Sequence, residues 1–316
     1  MAGTEWYSEA NRLVDRIASG DEGVKRYRTA DAEMVRLAME GRGPESGHGN
    51  APASGMRVVY NISSAHLPSV MSGETDGDPK PYKNRYDLAA SKAPVSVTGD
   101  SPLAKEKTLR ESIDEVIAGL LNQKGVDGKD FYYGAVELNG AGIRYFGDMC
   151  VVLNSEATDR NTVVLYRNSY DLSRSPLREE IFREPENNFK RALAKAEEFK
   201  GYWPNDVPDM AACKVLDGAS SSQRRITTGT VSAGVLLDED YIEVVRLKSF
   251  GASQIEEIRI SAADAGAEGR IGDRIAHGPP PSLAELQWRH RRRAAEKAAS
   301  MVRVPARVIT TGGRVR

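Results

Sequence analysis

Three stretches of the 316-residue chain combine residue types that can do chemistry. In Asp238-Glu239-Asp240-Tyr241-Ile242-Glu243-Val244-Val245-Arg246, the carboxylate of Glu243 begins an apolar run that reads as a strand. A carboxylate in a desolvated cleft stabilises developing positive charge far more than it would in water; an acid on the solvent face of an alternating strand has the same pattern. From Arg57 to Gly73 (RVVYNISSAHLPSVMSG), a short strand over 56–61 ends in Tyr60 and Asn61, with Ser63 just beyond it. A helix carried by Leu67, Val70 and Met71 follows, with Gly73 as its terminator. A strand that brings polar side chains to the mouth of a cleft, followed by a helix N-terminus with unpaired N–H groups, suits an amide or a phosphate. A plain strand–turn–helix between core elements reads the same way. The third stretch is Tyr145-Phe-Gly147-Asp148 running into Met-Cys-Val-Val-Leu153, then the polar turn Arg167-Asn168-Ser169-Tyr170-Asp171. Asp148 also fits a strand-end cap, and Asn168, Ser169 and Asp171 are common turn formers.

Other chemistries lack their residues. Gly128-Lys129 has neither the spacing nor the Ser/Thr of a phosphate loop, and no Gly-x-Gly-x-x-Gly or Gly-x-Ser-x-Gly occurs. The four histidines (His48, His66, His277, His290) are scattered, and Cys150 and Cys213 sit in apolar runs without ligand-spaced neighbours. Two reduced core thiols and no metal site are expected. No apolar stretch is long enough to span a membrane, and the N-terminus lacks a signal-peptide core. The expected location is the cytoplasm, or a target cell reached without a cleaved signal.

The elements that must position these residues form an α+β pattern: strands in antiparallel-looking succession, with helices gathered in the first half. Residues 1–40 read as a helical appendage, tethered by a flexible Gly/Pro/Ser linker at 41–55. After the Arg57 strand and a proline-rich loop, apolar spacing predicts a helix over 104–123, carried by Leu109, Ile113, Val116, Ile117 and Leu120. Strands are expected at 131–138, 148–154 and 162–167, a charged helix at 176–200, and further strands at 211–216, 225–237, 241–248 and 255–260. After Gly266 the chain loosens until Pro281 and Ser282 open a basic helix. The division is thus 1–40, 41–55, a working domain at 56–265, and a loop, basic helix and tail at 266–316.

Taken in order, the three stretches resemble the ADP-ribosyltransferase family of the toxin and effector type, over about residues 56–261. In that family the first strand ends Tyr-His-x-Thr and the helix reads Asn-Leu-x-x-Ile-Leu-x-x-Gly. Here Tyr60 takes the aromatic position, Ser63 the hydroxyl, and Leu67-Pro-Ser-Val70-Met71 the helix. Asn61 stands where many members have histidine, so the ribose contact passes to an amide or moves elsewhere. The resemblance implies antiparallel sheets of the ADP-ribosyltransferase type and NAD⁺ as substrate, bound by Tyr60, Asn61, Ser63 and Thr228. Thr228 belongs to Thr227-Thr228-Gly229-Thr230, similar to the Ser-Thr-Ser element that braces the pocket. Glu243 would hydrogen-bond the 2′-hydroxyl of the nicotinamide ribose and stabilise the oxocarbenium ion. Arginine-modifying members carry a second glutamate two residues earlier, where this chain has Tyr241, so arginine is a less favoured acceptor. The implied acceptor is an unidentified protein or nucleic acid, and such proteins are typically toxins, effectors or defence factors.

One feature lies outside that resemblance. From Arg289 to Arg316 there are eight arginines and one lysine against a single acid, a net of +8 that leaves −9 for the rest of the −1 chain. Such a tail fits nucleic acid, an acidic partner or an anionic membrane, or else a solvated terminal helix. A non-enzymatic nucleic-acid- or protein-binding module acting through Arg289–Arg316 is the rival to an enzyme.

Overall fold

β-Branched and aromatic residues build the strands, and their alternation sets which side chain faces where. The computed structural model describes residues 22–42, 55–90, 102–121, 126–159, 162–170, 193–194, 196–197, 199–217, 226–236 and 241–310. Eight strands form one sheet: β1 (Arg57–Ile62), β2 (Tyr132–Glu137), β3 (Met149–Leu153), β4 (Val163–Leu165), β5 (Lys200–Tyr202), β6 (Glu243–Arg246), β7 (Ile255–Ser261) and β8 (Ala306–Ile309), in the order β5-β4-β6-β2-β1-β3-β7-β8. Every pairing is antiparallel except β7 with β8. The expected α+β class holds at this level. The described helices are α1 (Glu22–Met39), α2 (Leu67–Gly73), α3 (Arg85–Ala90), α4 (Pro102–Leu121), α5 (Val207–Asp217), α6 (Thr228–Val235), α7 (Ala262–His277) and α8 (Leu283–Met301). None of the described helices is long and apolar enough to cross a membrane.

The ladder between β1 and β2 is the feature that matters for the site. It runs Arg57↔Glu137, Val58↔Val136, Val59↔Ala135 and stops, although β1 continues to Ile62 and β2 begins at Tyr132. Past Val59, β1 stays with β3 through Tyr60↔Val151 and Asn61↔Cys150, while β2 stays with β6 through Gly134↔Val244 and Ala135↔Glu243. The sheet therefore parts between its two halves. The ring of Tyr60 fills one side of the parting, packed on Phe250 and Tyr82 with centroids 4.7 and 5.3 Å away. Its hydroxyl donates to the carbonyl of Tyr132 at 3.1 Å. Gly134 permits this approach: a Cβ there would lie 2.8 Å from the Tyr60 ring.

Three expectations about elements are corrected. Residues 211–216 lie in helix α5 rather than a strand: Pro208 occupies the first turn, where it is tolerated, and Ala211 and Ala212 favour a helix. Most of 225–237 is helix α6, opened by a capping box in which Thr227 and Thr230 exchange side-chain-to-backbone bonds. The chain does not loosen after Gly266. Ser261 caps α7, and Asp264, Glu268 and Ile271 form a buried stripe at helical spacing that outweighs the glycines. The basic helix does open at Ser282, which forms a capping box with Glu285, and the closing strand β8 has no counterpart among the expected elements. The charged segment 176–200 lies outside the described residues apart from its last few positions.

Of the expected appendage at 1–40, residues 1–21 lie outside the described residues, and the described helix Glu22–Met39 is not merely tethered. Within α1, Ala32, Val35, Ala38 and Met39 form an apolar stripe that is buried in the main core against α5 and α6. The amide of Met56 donates to the carbonyl of Met39 at 2.6 Å, so the ends of the 41–55 segment lie side by side. Residues 43–54 of the expected linker lie outside the described residues. Helix α1 is part of the fold, and its Arg36–Asp209 pair (2.6 Å) is half-exposed and adds little.

The basic helix is likewise partly internal. Arg292 on α8 is fully buried, with Nε 3.1 Å from Glu268 and Nη1 3.3 Å from the Asp148 carbonyl. Asp148 accepts from the Ser64 amide at 2.7 Å, so this ion cluster lies beneath the turn by which β1 reaches α2. Exposed Arg293 reaches Glu268 at 2.6 Å, and Arg307 reaches Glu257 at 3.3 Å.

Two stability measurements follow. Met39→Ala should lower unfolding free energy by about 2–5 kcal/mol in chemical denaturation; an unchanged midpoint would return α1 to the role of a tether. Arg292→Met strands buried carboxylates and should cost about 3–5 kcal/mol, against less than about 0.5 for exposed Arg291→Met. Equal, small losses would show that Arg292 carries no structural weight.

Candidate functional site

The parting of β1 from β2 opens into a cavity of about 290 Å³. Val59, Tyr60 and Asn61 line it from β1 and Tyr132 to Ala135 from β2, while Glu243 lines it from β6 and Tyr241 from two residues before that strand. Ala135 pairs with Val59 on one side and Glu243 on the other, so these three share a face of the sheet. Asn61, two residues beyond Val59, and Tyr241, two before Glu243, point to that face as well. Helices α3 and α4 close the cavity with Arg85, Tyr86, Arg110 and Asp114.

Of the residues singled out in the sequence, Tyr60, Asn61 and Glu243 are brought together in this lining. Ser63 lies outside it, its Oγ accepting from the Ala65 amide at 3.3 Å. Thr228 is the first residue of α6, not a strand residue; its side chain lies outside the described residues. Tyr60 is committed to Tyr132, and burial pushes its phenol up to about 12, so it stays a neutral donor.

Asn61 is committed too. Its Nδ2 donates to the carbonyls of Ala141 and Gly147, each at 3.1 Å, and its Oδ1 accepts from the Ile143 amide at 2.6 Å. The side chain clasps the β2–β3 loop, which places Ile143 and Phe146 in the cavity wall. Arg259 holds the beginning of that loop through the carbonyls of Leu138 (2.7 Å) and Gly140 (3.2 Å), and Arg144 ties it to Asp264 (2.6 Å). Gly142 takes φ +67° where a Cβ would collide with the Asn61 amide, so glycine is required on both counts.

Glu243 is buried at the first position of β6. Oε2 accepts from the Ser169 amide at 2.8 Å and Oε1 faces the Tyr241 hydroxyl at 3.4 Å. Burial raises its pKa, and nearby Arg110 and the Ser169 bonds pull it back. The turn after β4, noted in the sequence as a set of turn formers, is thus what presents an N–H to the carboxylate. Asp171 of that turn lies outside the described residues.

Around Glu243 stands a polar cluster that the sequence reading missed. Arg110 donates through Nε to Asp114 (2.9 Å) and through Nη1 to Ser169 Oγ (3.0 Å), with its guanidinium 3.9 Å from the Tyr133 ring centroid. Asp114 also accepts from Tyr133 (2.8 Å) and Tyr86 (2.6 Å). Burial opposes the charge on Arg110, but Tyr133, Asp114 and Glu243 outweigh it and its pKa is raised. A signal existed: Arg110 and Asp114 fall in the buried stripe with Ile113 and Ile117, where an amphipathic helix should be apolar. Chemically the cavity offers an aromatic-walled space, one cation fixed by its neighbours, and a buried carboxylate able to stabilise positive charge or carry a proton. Among the described residues no group of three or more His, Cys, Asp or Glu is arranged to hold a metal ion.

The raised pKa of Glu243 has a measurable sign. The unfolded chain releases this proton in the ordinary range of about 4.3, and the folded chain only at higher pH. Stability is therefore lost as pH rises from the unfolded value to the folded one, and it stays lower above both. Glu243→Gln should match the wild-type melting temperature at about pH 4 and exceed it at about pH 7. A variant less stable by the same margin at both pH values would contradict the burial cost. Comparison with protein-family models, curated proteins and solved structures returns no match, so the function of this chain rests on the geometry of its cavity.

Proposed function

We propose that this chain transfers ADP-ribose from NAD⁺ to a macromolecular acceptor, with water as the competing acceptor. The observation that carries the reading is the convergence of Tyr60, Asn61 and Glu243, separated by up to 183 positions in sequence, on one cavity. In this reading the nicotinamide-ribose end enters between the parted strands and its ring lies against the aromatic walls. Glu243 accepts from the ribose 2′-hydroxyl. The bond from C1′ to the nicotinamide nitrogen breaks with its electron pair going to nicotinamide, and the carboxylate stabilises the oxocarbenium ion that remains. The acceptor then attacks C1′ and gives up its proton.

Two details refine what the family resemblance implies. Asn61 has both its donors and its acceptor occupied by the β2–β3 loop, which makes it a positioning residue in this reading, and the ribose contact falls to Glu243. Tyr241 faces Glu243 where arginine-modifying members have a second acid, which supports an acceptor other than arginine. The rival reading, capture of nucleic acid by the basic tail, draws on fewer open cations than the sequence count gives. Arg292 is in the core, and Arg293 and Arg307 are paired with acids.

Release of nicotinamide from NAD⁺ by the purified protein tests the reading. Glu243→Gln should lower that rate by at least about 100-fold, because the shape is kept and the stabilising charge is lost. A folded variant with wild-type turnover would remove Glu243 from the mechanism.

A further inference from the structure

Arg110 is 5% exposed, lines the cavity, and has its nitrogens in unequal circumstances. Nε and Nη1 are bound to Asp114 and Ser169. Nη2 is buried and has no hydrogen-bond partner among the described residues. The guanidinium cannot turn to find one, because it is held at two points and lies over the rings of Tyr133 and Tyr170, 3.9 and 5.0 Å from their centroids. A buried donor of a charged group left without an acceptor is costly, and here it stands in the wall of a cavity sized for a small ring.

We propose that Arg110 is the specificity-determining residue of the cavity: its Nη2 donates to a neutral carbonyl oxygen on the bound aromatic ring, and so selects a carboxamide over a carboxylate. The inference rests on the NAD⁺ reading above. A neutral acceptor follows from the charges and from the geometry. Arg85 also lines the cavity but is exposed, whereas buried Arg110 already faces the charges of Asp114 and Glu243, so a carboxylate on the ring would be the third negative group about that one guanidinium. With only one nitrogen open, the two-point fork that makes arginine bind carboxylates tightly is not available. A carboxamide needs one donor for its oxygen and adds no charge. Its ring fits the aromatic wall of Tyr86, Phe131, Tyr133, Phe146, Tyr170 and Tyr241, and a pyridinium also gains from their faces.

The experiment compares NAD⁺ with its analogue bearing nicotinic acid in place of nicotinamide, as kcat/KM for release of the free ring, in wild type, Arg110→Lys and Arg110→Met. Wild type should prefer the amide by about 10- to 100-fold, the range of one charge-assisted hydrogen bond. The variants should bring the two substrates to within about threefold. The ratio isolates this effect, since any influence of Arg110 on Glu243 changes both rates alike. Should the variants fail to fold, free nicotinamide and nicotinate as competing inhibitors of wild type give the same comparison, with nicotinamide expected to bind about 10-fold or more tightly. Cleavage without preference, or a preference that survives in the folded variants, overturns the role of Arg110 and leaves the NAD⁺ reading standing. If wild type cleaves neither dinucleotide, that reading fails and this inference with it.

Discussion

Everything about the cavity depends on the point where β1 and β2 stop pairing. Two antiparallel strands that begin in register would ordinarily continue, because each broken rung leaves buried backbone groups to satisfy. Here the last rung is Val59↔Ala135. Tyr60 acts as the wedge: its ring occupies the gap, and its hydroxyl serves the Tyr132 carbonyl in place of a backbone donor. Gly134 is the matching concession, since any side chain there would meet that ring. The two halves of the sheet each remain paired, β1 with β3 and β2 with β6, so the gap is bounded by continuous structure on both sides.

The buried charges divide into two groups with different work. Arg292, Glu268 and Asp148 lie under the exit of β1 and fix where that strand turns into α2. They are tied by ion pairs with one another and by bonds to the backbone. Asp148 Oδ2, Glu268 Oε1 and Arg292 Nη2 lack hydrogen bonds of their own among the described residues, but none of the three side chains lines the cavity. Arg110, Asp114 and Glu243 lie in the cavity wall and are incompletely bonded there, with Arg110 Nη2 unpartnered and Glu243 carrying a burial cost. Proteins tolerate that arrangement at sites that bind or react, where a ligand completes the bonding. Asn61 links the two groups, because it sits on β1 above the turn and spends its whole amide on the loop that forms the cavity's far wall.

Much of this was legible in the chain and some was not, for identifiable reasons. The strands around Tyr60, Tyr133, Cys150, Val164, Glu243 and Ile258 are short apolar runs with β-branched residues, and period and composition agree there. Helix α8 announced itself through Pro281 and Ser282. Helices α5 and α6 were misread because Cys213, Val215 and Leu216, and Val231 and Val235, look equally well placed in a buried strand; a short apolar run does not distinguish the two. Helix α7 contradicts its glycines because tertiary burial of Asp264, Glu268 and Ile271 overrides propensity. Glu243 and Tyr60 were legible as an acid and an aromatic at strand positions. Arg110 and Asp114 left only the trace of charges within the apolar stripe of α4, and that this side of the helix faces the cavity is visible in the fold alone.

The central claim is that the gap between β1 and β2 receives the nicotinamide-ribose end of NAD⁺ with Glu243 at the ribose. A crystal structure of the slow Glu243→Gln protein soaked with NAD⁺ tests it most directly. The account predicts the nicotinamide ring within the Tyr133, Tyr170 and Phe146 walls and the ribose 2′-hydroxyl within hydrogen-bonding distance, about 3 Å, of the side chain at position 243. A dinucleotide bound elsewhere on the molecule, with the gap unfilled at saturating NAD⁺, would contradict it.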